Sequence, residues 1–147
     1  MGKSNKSQDV IQVLLSDMHS GSNFALFLSR PWSGQSDNNH FPSSGQLKVR
    51  ERFEIYAEEV RIARQGKKVK LVHNGDAIDG DHHHSGDVCT LNALEQADIH
   101  IELMEEFKKR IDWQRGDELY YTRGTQSHVN QFENYIGKEM SATPDGD

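Results

Sequence analysis

The sequence reads VIQVLLSDMH at residues 10–19 and VKLVHNGDAID at residues 69–79, and these two stretches are its most informative parts. Each begins with a short apolar run, typical of a strand that is buried on both faces of a sheet. Each run gives way to polar residues and, in the second stretch, to a glycine that lets the backbone turn sharply. The two stretches therefore predict two strands with polar side chains at their carboxyl ends.

Two helical patterns and a third strand accompany these runs. The first pattern comprises Val49, Phe53, Tyr56, Val60 and Ala63, spaced by four and three residues. The second comprises Leu91, Leu94, Ile101, Met104, Phe107 and Ile111. Gly66 is expected as the C-cap of the first helix and Gly116 as the end of the second. Leu119–Thr122, which contains two tyrosines, is expected to be the third strand.

The order strand, helix, strand, helix, strand predicts an α/β layered sandwich with a parallel βαβαβ core. A chain of 147 residues fits a single domain over residues 1–147. The polar residues 1–9 are expected to form a flexible N-terminus. Residues 29–45, which are rich in Ser, Gly and Asn and contain two prolines, are expected to form a surface loop.

Composition excludes several classes of protein. Hydrophobic residues make up 34% and charged residues 27% of the chain, which is typical of a globular protein. The formal charge of -6 argues against a broad basic surface for nucleic acid. Cys89 is the only cysteine, so no intramolecular disulfide can form. Without an apolar signal segment or membrane span, we expect a cytoplasmic protein with no membrane partner.

Polar residues with metal-binding chemistry follow the predicted strands. Asp17 and His19 follow the first strand, Asp76 and Asp79 follow the second, and His128 lies beyond the third. The carboxyl ends of parallel strands gather at one edge of a sheet, so these side chains are expected to converge. Carboxylate and imidazole ligands suit manganese, iron or zinc. For the second stretch alone, an ordinary Gly-Asp turn explains the residues equally well.

Asp17-Met18-His19 and Gly75-Asp76-Ala77-Ile78-Asp79 resemble the first two signature blocks of the calcineurin-like metallophosphoesterases, and the likeness spans residues 10–137. The resemblance implies a two-metal phosphoesterase fold in which Asp17 and His19 bind one cation and Asp76 bridges both. It implies two divalent ions, with manganese favoured over iron or zinc. One carboxylate can bridge cations about 3.5–4 Å apart, as two-metal hydrolases require.

The third block of that family, Gly-Asn-His followed by an acid, is altered here. Arg123-Gly124-Thr125-Gln126-Ser127-His128 is similar to a variant found in phage and bacterial members. The resemblance implies that Thr125 replaces asparagine as a metal ligand and that His128 protonates the leaving group. A surface loop histidine is the alternative for His128. Arg123 is expected to clamp a substrate phosphate, with a surface ion pair as the alternative.

The other histidines of the chain are expected to have different roles. The family has two further histidine ligands downstream, and no histidine follows His128. The chain is therefore expected to be the N-terminal part of a truncated domain whose exposed sheet edge favours a homo-oligomer. In the tract at residues 82–84, His82 is expected to contact the substrate or an aspartate beside the metal ligands, and replacement of the missing ligands is the alternative. His73 is expected to be structural, and His40 and His100 to be solvated.

These observations predict hydrolysis of phosphomonoesters or phosphodiesters by a metal-activated water, with Asp79 orienting a metal ligand. The substrate is expected to be a phosphate ester, and nucleotides and nucleic acid strands would both fit. The alternative is a metal-binding remnant of the same fold without turnover, acting as an interaction protein. A nucleotide-binding domain lacks support, because no glycine-rich phosphate loop is present.

Overall fold

The computed structural model of the protein describes residues 9–35, 39–80, 86–124 and 132–143. Its helices and strands follow the predicted alternation along the chain. In chain order they are β1 (Val10–Leu15), β2 (Trp32–Ser33), β3 (Asn39–His40), α1 (Ser44–Arg64), β4 (Lys68–Asn74), α2 (Ala93–Arg110), β5 (Glu118–Thr122) and α3 (Phe132–Glu139).

The main sheet has three parallel strands in the order β1-β4-β5. Val10 pairs with Lys68, and Lys70 pairs with Glu118, so the strands are in a register that leaves their carboxyl ends side by side. Helices α1 and α2 connect successive strands, which is the arrangement that parallel strands require. The predicted α/β class, with a parallel sheet alternating with helices, is therefore confirmed.

The segment from residue 29 to residue 45, expected to be a surface loop, contains regular structure. Trp32 pairs with His40 in a two-stranded antiparallel ribbon formed by β2 and β3. Trp32 is buried in the core, whereas Phe41 is exposed. Helix α1 already begins at Ser44. Residues that favour turns, such as Ser, Gly, Asn and Pro, therefore occur here in a two-stranded ribbon and at the start of a helix as well as in a loop.

Helix α1 begins at a capping box that the apolar pattern did not predict. The Ser43 side chain accepts a hydrogen bond from the Gln46 N–H, and the Gln46 side chain accepts one from the Ser43 N–H. At the other end Gln65 is the C-cap, with a left-handed backbone (φ 45°), so the prediction of Gly66 was one residue late. Both ends of the helix thus satisfy part of their backbone hydrogen-bonding capacity.

The buried face of α1 is rotated from the predicted one. Val49 and Ala63, predicted to face the core, are exposed, whereas Arg50 and Arg64 are buried. Arg50 forms ion pairs with Glu54 and Glu106. Apolar spacing does not reveal a core-facing arginine, because Arg50 is buried with the help of a carboxylate on another helix, that of Glu106 on α2.

Arg64 and Asp117 form an ion pair that links the end of α1 to the residue directly before β5. Their side chains are only 4% and 1% exposed, and Arg64 Nη2 lies 2.9 Å from Asp117 Oδ2. Arg64 also donates to the carbonyl oxygen of Asp112. Asp117 accepts hydrogen bonds from the backbone N–H groups of Val69 and Gln114. Both charges are thus offset by several hydrogen bonds in addition to the ion pair, which a buried charge requires, although Arg64 Nε itself has no partner among the described residues.

Helix α2 (Ala93–Arg110) has Asn92 as its N-cap, and the Asn92 side chain accepts a hydrogen bond from the Leu94 N–H. The prediction that Gly116 closes this helix was wrong, since Ile111 caps it and Gly116 lies in the turn before β5. Met104 and Phe107 are fully buried, as the apolar stripe predicted. His100, expected to be solvated, is also fully buried.

The apolar core lies between the sheet and the three helices. The helix-facing strand positions Val13, Val69, Leu71 and Leu119 are buried, and His73 is buried among them. Cys89 is half-buried, and burial raises the pKa of its thiol to about 11, so it remains a neutral thiol. None of the helices in the described ranges is long and apolar enough to cross a membrane.

Loss of the Arg64 charge is expected to destabilise the fold. Arg64→Met leaves Asp117 as a buried carboxylate without its cation, at a cost of about 3–5 kcal/mol in the free energy of unfolding. The control is Arg61→Met in the same helical turn, because Arg61 pairs with Glu58 at the surface. We expect the control to lose less than about 1 kcal/mol. Urea unfolding measures both, and equal losses would contradict the structural role of the buried pair.

His73 is expected to make the protein sensitive to mild acid. Burial lowers the pKa of His73 to about 4. On acidification the unfolded chain therefore binds a proton at this residue near pH 6.5, before the folded chain does. The contribution of neutral His73 to the free energy of unfolding is fully present above pH 6.5. It is lost as the pH falls from 6.5 to 4, and the total loss is about 3 kcal/mol.

The test is the pH dependence of urea unfolding for the parent and for His73→Leu, both with chelator present. The variant should lose less unfolding free energy than the parent between pH 7 and pH 4.5. Parallel pH profiles would show that the pKa of His73 is the same in the folded and the unfolded protein and would contradict the effect of burial.

Candidate metal centre

The segments that follow β1 and β4 remain paired after the strands end. Backbone hydrogen bonds continue between them, and Ser20 and Ile78 form a further parallel bridge. The donor and acceptor pairs are Asp17 N and Gly75 O (3.2 Å), His19 N and Asp76 O (3.0 Å), Ser20 N and Ala77 O (3.0 Å), and Asp79 N and Ser20 O (3.1 Å). The sheet thereby holds the residues after both strands in a fixed register, which a pair of free loops would not do.

The three predicted ligands after these strands all have a left-handed backbone. The φ angles are 52° at Asp17, 42° at His19 and 52° at Asp76. Aspartate and histidine tolerate this region better than most residues, but each such position stores strain of order 1–3 kcal/mol. Strained backbone of this kind concentrates at functional sites, where the surrounding hydrogen bonds over-determine it.

Gly75 allows the second segment to approach the third. Its φ is 74°, and a Cβ atom built on it would lie 2.9 Å from the Cα atom of Gly124. A side chain at residue 75 would therefore collide with the backbone that follows β5 as well as strain its own. Gly75, which the sequence predicts to allow a sharp turn, therefore also permits this close approach to Gly124.

Asp17, His19 and Asp76 come together as one group. Each offers a ligand atom, and these three atoms all lie within 4.8 Å of one another. Protein ligands of zinc-like cations lie about 2.0–2.2 Å from the ion, so the spacing is close to that needed to share one cation. Two carboxylates and one imidazole are a donor set that fits manganese, iron or zinc. It is the one such group found within the described ranges.

Asp79 lies beside the histidine of this group. Its Oδ1 atom is 3.3 Å from Nδ1 of His19. Histidines that bind metals usually direct their second ring nitrogen at a carboxylate or carbonyl, which fixes the orientation of the ring. Asp79 is therefore close enough to His19 for an orienting contact, and its orienting role stays a prediction.

Glu133 on α3 joins the second and third segments of the site. One of its carboxylate oxygens, Oε1, accepts hydrogen bonds from the backbone N–H groups of Asp76 (3.1 Å) and Gly124 (2.8 Å). Glu133 is buried, and burial raises the pKa of its carboxyl group above the ordinary value, although both hydrogen bonds favour the ionised form. The Glu133 side chain therefore holds the backbone of a candidate ligand in place.

A layer of polar side chains supports the site from the side of α2. Gln96 accepts a hydrogen bond from the Gly80 N–H and donates one to the Thr90 carbonyl oxygen. His100 Nδ1 lies 3.2 Å from Ser20 Oγ, and His100 Nε2 lies 3.0 Å from Tyr121 Oη. Gln96 and His100 are fully buried. The helix thus fixes the turn after β4 and the residue that follows His19.

Of the remaining predicted site residues, the structure describes Arg123 alone. Arg123 is exposed directly after β5 and lines a pocket of about 220 Å³ together with Glu133 and Lys138. Thr125, His128 and the tract containing His82 lie outside the described residues, so their predicted roles stay predictions.

The contributions of Glu133 and Gln96 were not predicted from the sequence. Each is a polar residue within a helix, where glutamate and glutamine are common for reasons of propensity alone. No local pattern distinguishes Glu133 from Glu139 on the same helix, because its partners are backbone groups on two other segments. Only the three-dimensional arrangement identifies it.

Comparisons with protein-family models, with curated proteins and with solved structures found no match to this chain.

Removal of the Glu133 carboxylate is expected to weaken metal binding. Glu133→Ala leaves the N–H groups of Asp76 and Gly124 without their acceptor, which releases the backbone of a candidate ligand. We expect manganese affinity to fall about 10- to 100-fold, the usual effect of losing a group that orients a ligand. Isothermal titration calorimetry with Mn²⁺ measures the change.

Glu139→Ala is the matched control, since Glu139 is an exposed acid on the same helix. It should leave the affinity within about twofold of the parent value, as most surface substitutions do. An equal loss of affinity in both variants would show that Glu133 acts only through general charge or stability.

Proposed function

We propose that the protein is a divalent-metal-dependent phosphoesterase that hydrolyses phosphomonoesters or phosphodiesters. The observation that carries the proposal is the convergence of Asp17, His19 and Asp76 at the carboxyl edge of the parallel sheet. Open α/β sheets bind their ligands at this edge. The left-handed backbone at all three residues supports a functional origin for the cluster, since an ordinary turn does not need three strained positions.

A bound divalent cation would supply Lewis-acid polarisation of the phosphoryl group and a nucleophile derived from water at neutral pH. Asp17 and Asp76 provide negative charge that attracts the cation, and His19 provides a nitrogen ligand. Asp79 orients the imidazole of His19 across 3.3 Å. Glu133 holds the backbone of Asp76 through its N–H group. Each of these residues therefore contributes to binding the cation or to keeping a ligand in position.

Arg123 is the candidate for binding the substrate phosphate among the described residues. It follows β5 directly, next to Gly124, which contacts the segment of Asp76. A guanidinium group can bind two phosphate oxygens at once and so hold the ester in one orientation. His128 is proposed as the proton donor to the leaving group, Thr125 as a further metal ligand and His82 as a substrate contact.

The resemblance of residues 17–19 and 75–79 to calcineurin-like metallophosphoesterases supports the same reaction. That family uses two cations, so the proposal includes a second divalent ion, with manganese favoured. Asp76 is proposed to bridge the two ions. The edge strands of the three-stranded sheet, β1 and β5, are proposed to allow association with a second copy of the chain.

The direct test is the substitution Asp76→Asn. Asparagine keeps the size of the side chain and tolerates a left-handed backbone, but it lacks the charge of the carboxylate. We expect manganese-stimulated hydrolysis of bis-p-nitrophenyl phosphate to fall at least about 100-fold, because a central ligand is lost. The control Asp98→Asn, which changes an exposed aspartate on α2, should retain the parent rate.

Retention of the metal-stimulated rate by Asp76→Asn would reject this assignment of the ligands. Removal of metal by chelator should abolish the parent activity, and added Mn²⁺ should restore it.

A second candidate function is metal binding without turnover. The described residues contribute one group of three ligands, which is sufficient for one cation. Calorimetry with Mn²⁺ distinguishes the two candidates. Two ions per chain favour the phosphoesterase, whereas one ion or none, together with no hydrolysis, favours the binding protein.

A further inference from the structure

A pocket of about 400 Å³ lies next to the candidate metal centre. One wall is the end of β1 and the segment after it, and the other wall is the N-terminal half of α1. Asp17 belongs both to this pocket and to the metal group. A molecule in the pocket would therefore be in contact with a residue of the metal centre.

The walls of this pocket are mainly apolar. Met18 and Leu26 are almost fully buried behind it, Phe53 is half-buried, and Val49 is 42% exposed at its side. Small-molecule sites typically enclose about 300–1,000 Å³ and have apolar walls with a few polar groups. The pocket thus has the volume and the lining of a site for a small organic group.

Arg52 provides a positive charge at the pocket. It is exposed, and it forms no ion pair with another residue of the described ranges. Its neighbours on α1 differ in this respect, since Arg50 and Arg61 each have a carboxylate partner. A planar guanidinium group stacks on aromatic rings and binds phosphate oxygens. Arg52 is therefore available to a ligand that carries either group.

We propose that this pocket binds the nucleoside part of a nucleotide-type phosphate ester, whose phosphorus lies at the Asp17, His19 and Asp76 group. This inference rests on the proposed phosphoesterase function and names its substrate class. Met18, Leu26 and Phe53 contact the flat faces of the base, and Arg52 stacks on the ring. In nucleotides a sugar joins the base to the phosphate, which suits a pocket that borders the metal group at Asp17.

The test compares two diesters that release the same p-nitrophenolate, namely thymidine 5′-(p-nitrophenyl phosphate) and methyl p-nitrophenyl phosphate. For the parent, kcat/KM should be at least about tenfold higher for the thymidine ester, equivalent to about 1.4 kcal/mol of additional binding in the transition state. Val49→Phe fills the pocket from α1 and should bring the ratio of the two kcat/KM values close to one. Arg52→Gln should lower the ratio several-fold.

The matched control is Ile55→Phe, which adds the same ring to α1 at a residue that is 43% exposed and does not line the pocket. It should keep the ratio of the parent. A second readout is independent of turnover: thymidine 5′-monophosphate added to the metal-free protein should shift the amide NMR signals of Met18, Leu26 and Phe53, and methyl phosphate should not.

Equal kcat/KM values of the parent for the two esters, or a thymidine preference that Val49→Phe leaves intact, would overturn the pocket assignment and leave the phosphoesterase proposal standing. Failure of the parent to hydrolyse either ester in the presence of Mn²⁺ would overturn the phosphoesterase proposal and this inference with it.

Discussion

The candidate site depends on the backbone hydrogen bonds that continue from β1 and β4 into the segments after them. Three N–H groups of the first segment, those of Asp17, His19 and Ser20, donate to carbonyl oxygens of the second. This pairing fixes the register between two parts of the chain that are about 60 residues apart. A slip of one residue would turn Asp17 or Asp76 away from the other, so the convergence of the ligands follows from the pairing.

The same pairing explains how strained backbone can persist here. Three left-handed residues would together cost several kcal/mol in isolation. The backbone hydrogen bonds, the contact of Gly75 with Gly124 and the two hydrogen bonds accepted by Glu133 all favour the observed conformation. The buried side chains of Gln96 and His100 hydrogen-bond to Gly80 and Ser20, which restricts the segments after β4 and β1. The fold itself therefore holds the three candidate ligands in position, which would lower the entropic cost of binding a cation.

Much of the fold was predictable because strand and helix periodicities are local properties of a sequence. The apolar runs of β1 and β4 identified parallel strands, and the position of polar residues after them predicted where Asp17, His19 and Asp76 would meet. The rotation of α1 was not predictable, because Arg50 and Arg64 pair with carboxylates in distant parts of the chain, those of Glu106 and Asp117. His100 and Glu133 were missed for the same reason: their hydrogen-bond partners lie on other elements.

A crystal of the protein soaked in Mn²⁺ and measured at the manganese absorption edge would locate the bound ion directly. A strong anomalous peak is expected about 2.0–2.3 Å from a carboxylate oxygen of Asp17, a ring nitrogen of His19 and a carboxylate oxygen of Asp76, the range of protein ligands to such cations. Saturating Mn²⁺ without a peak between these three side chains would contradict a shared cation site and the function built on it.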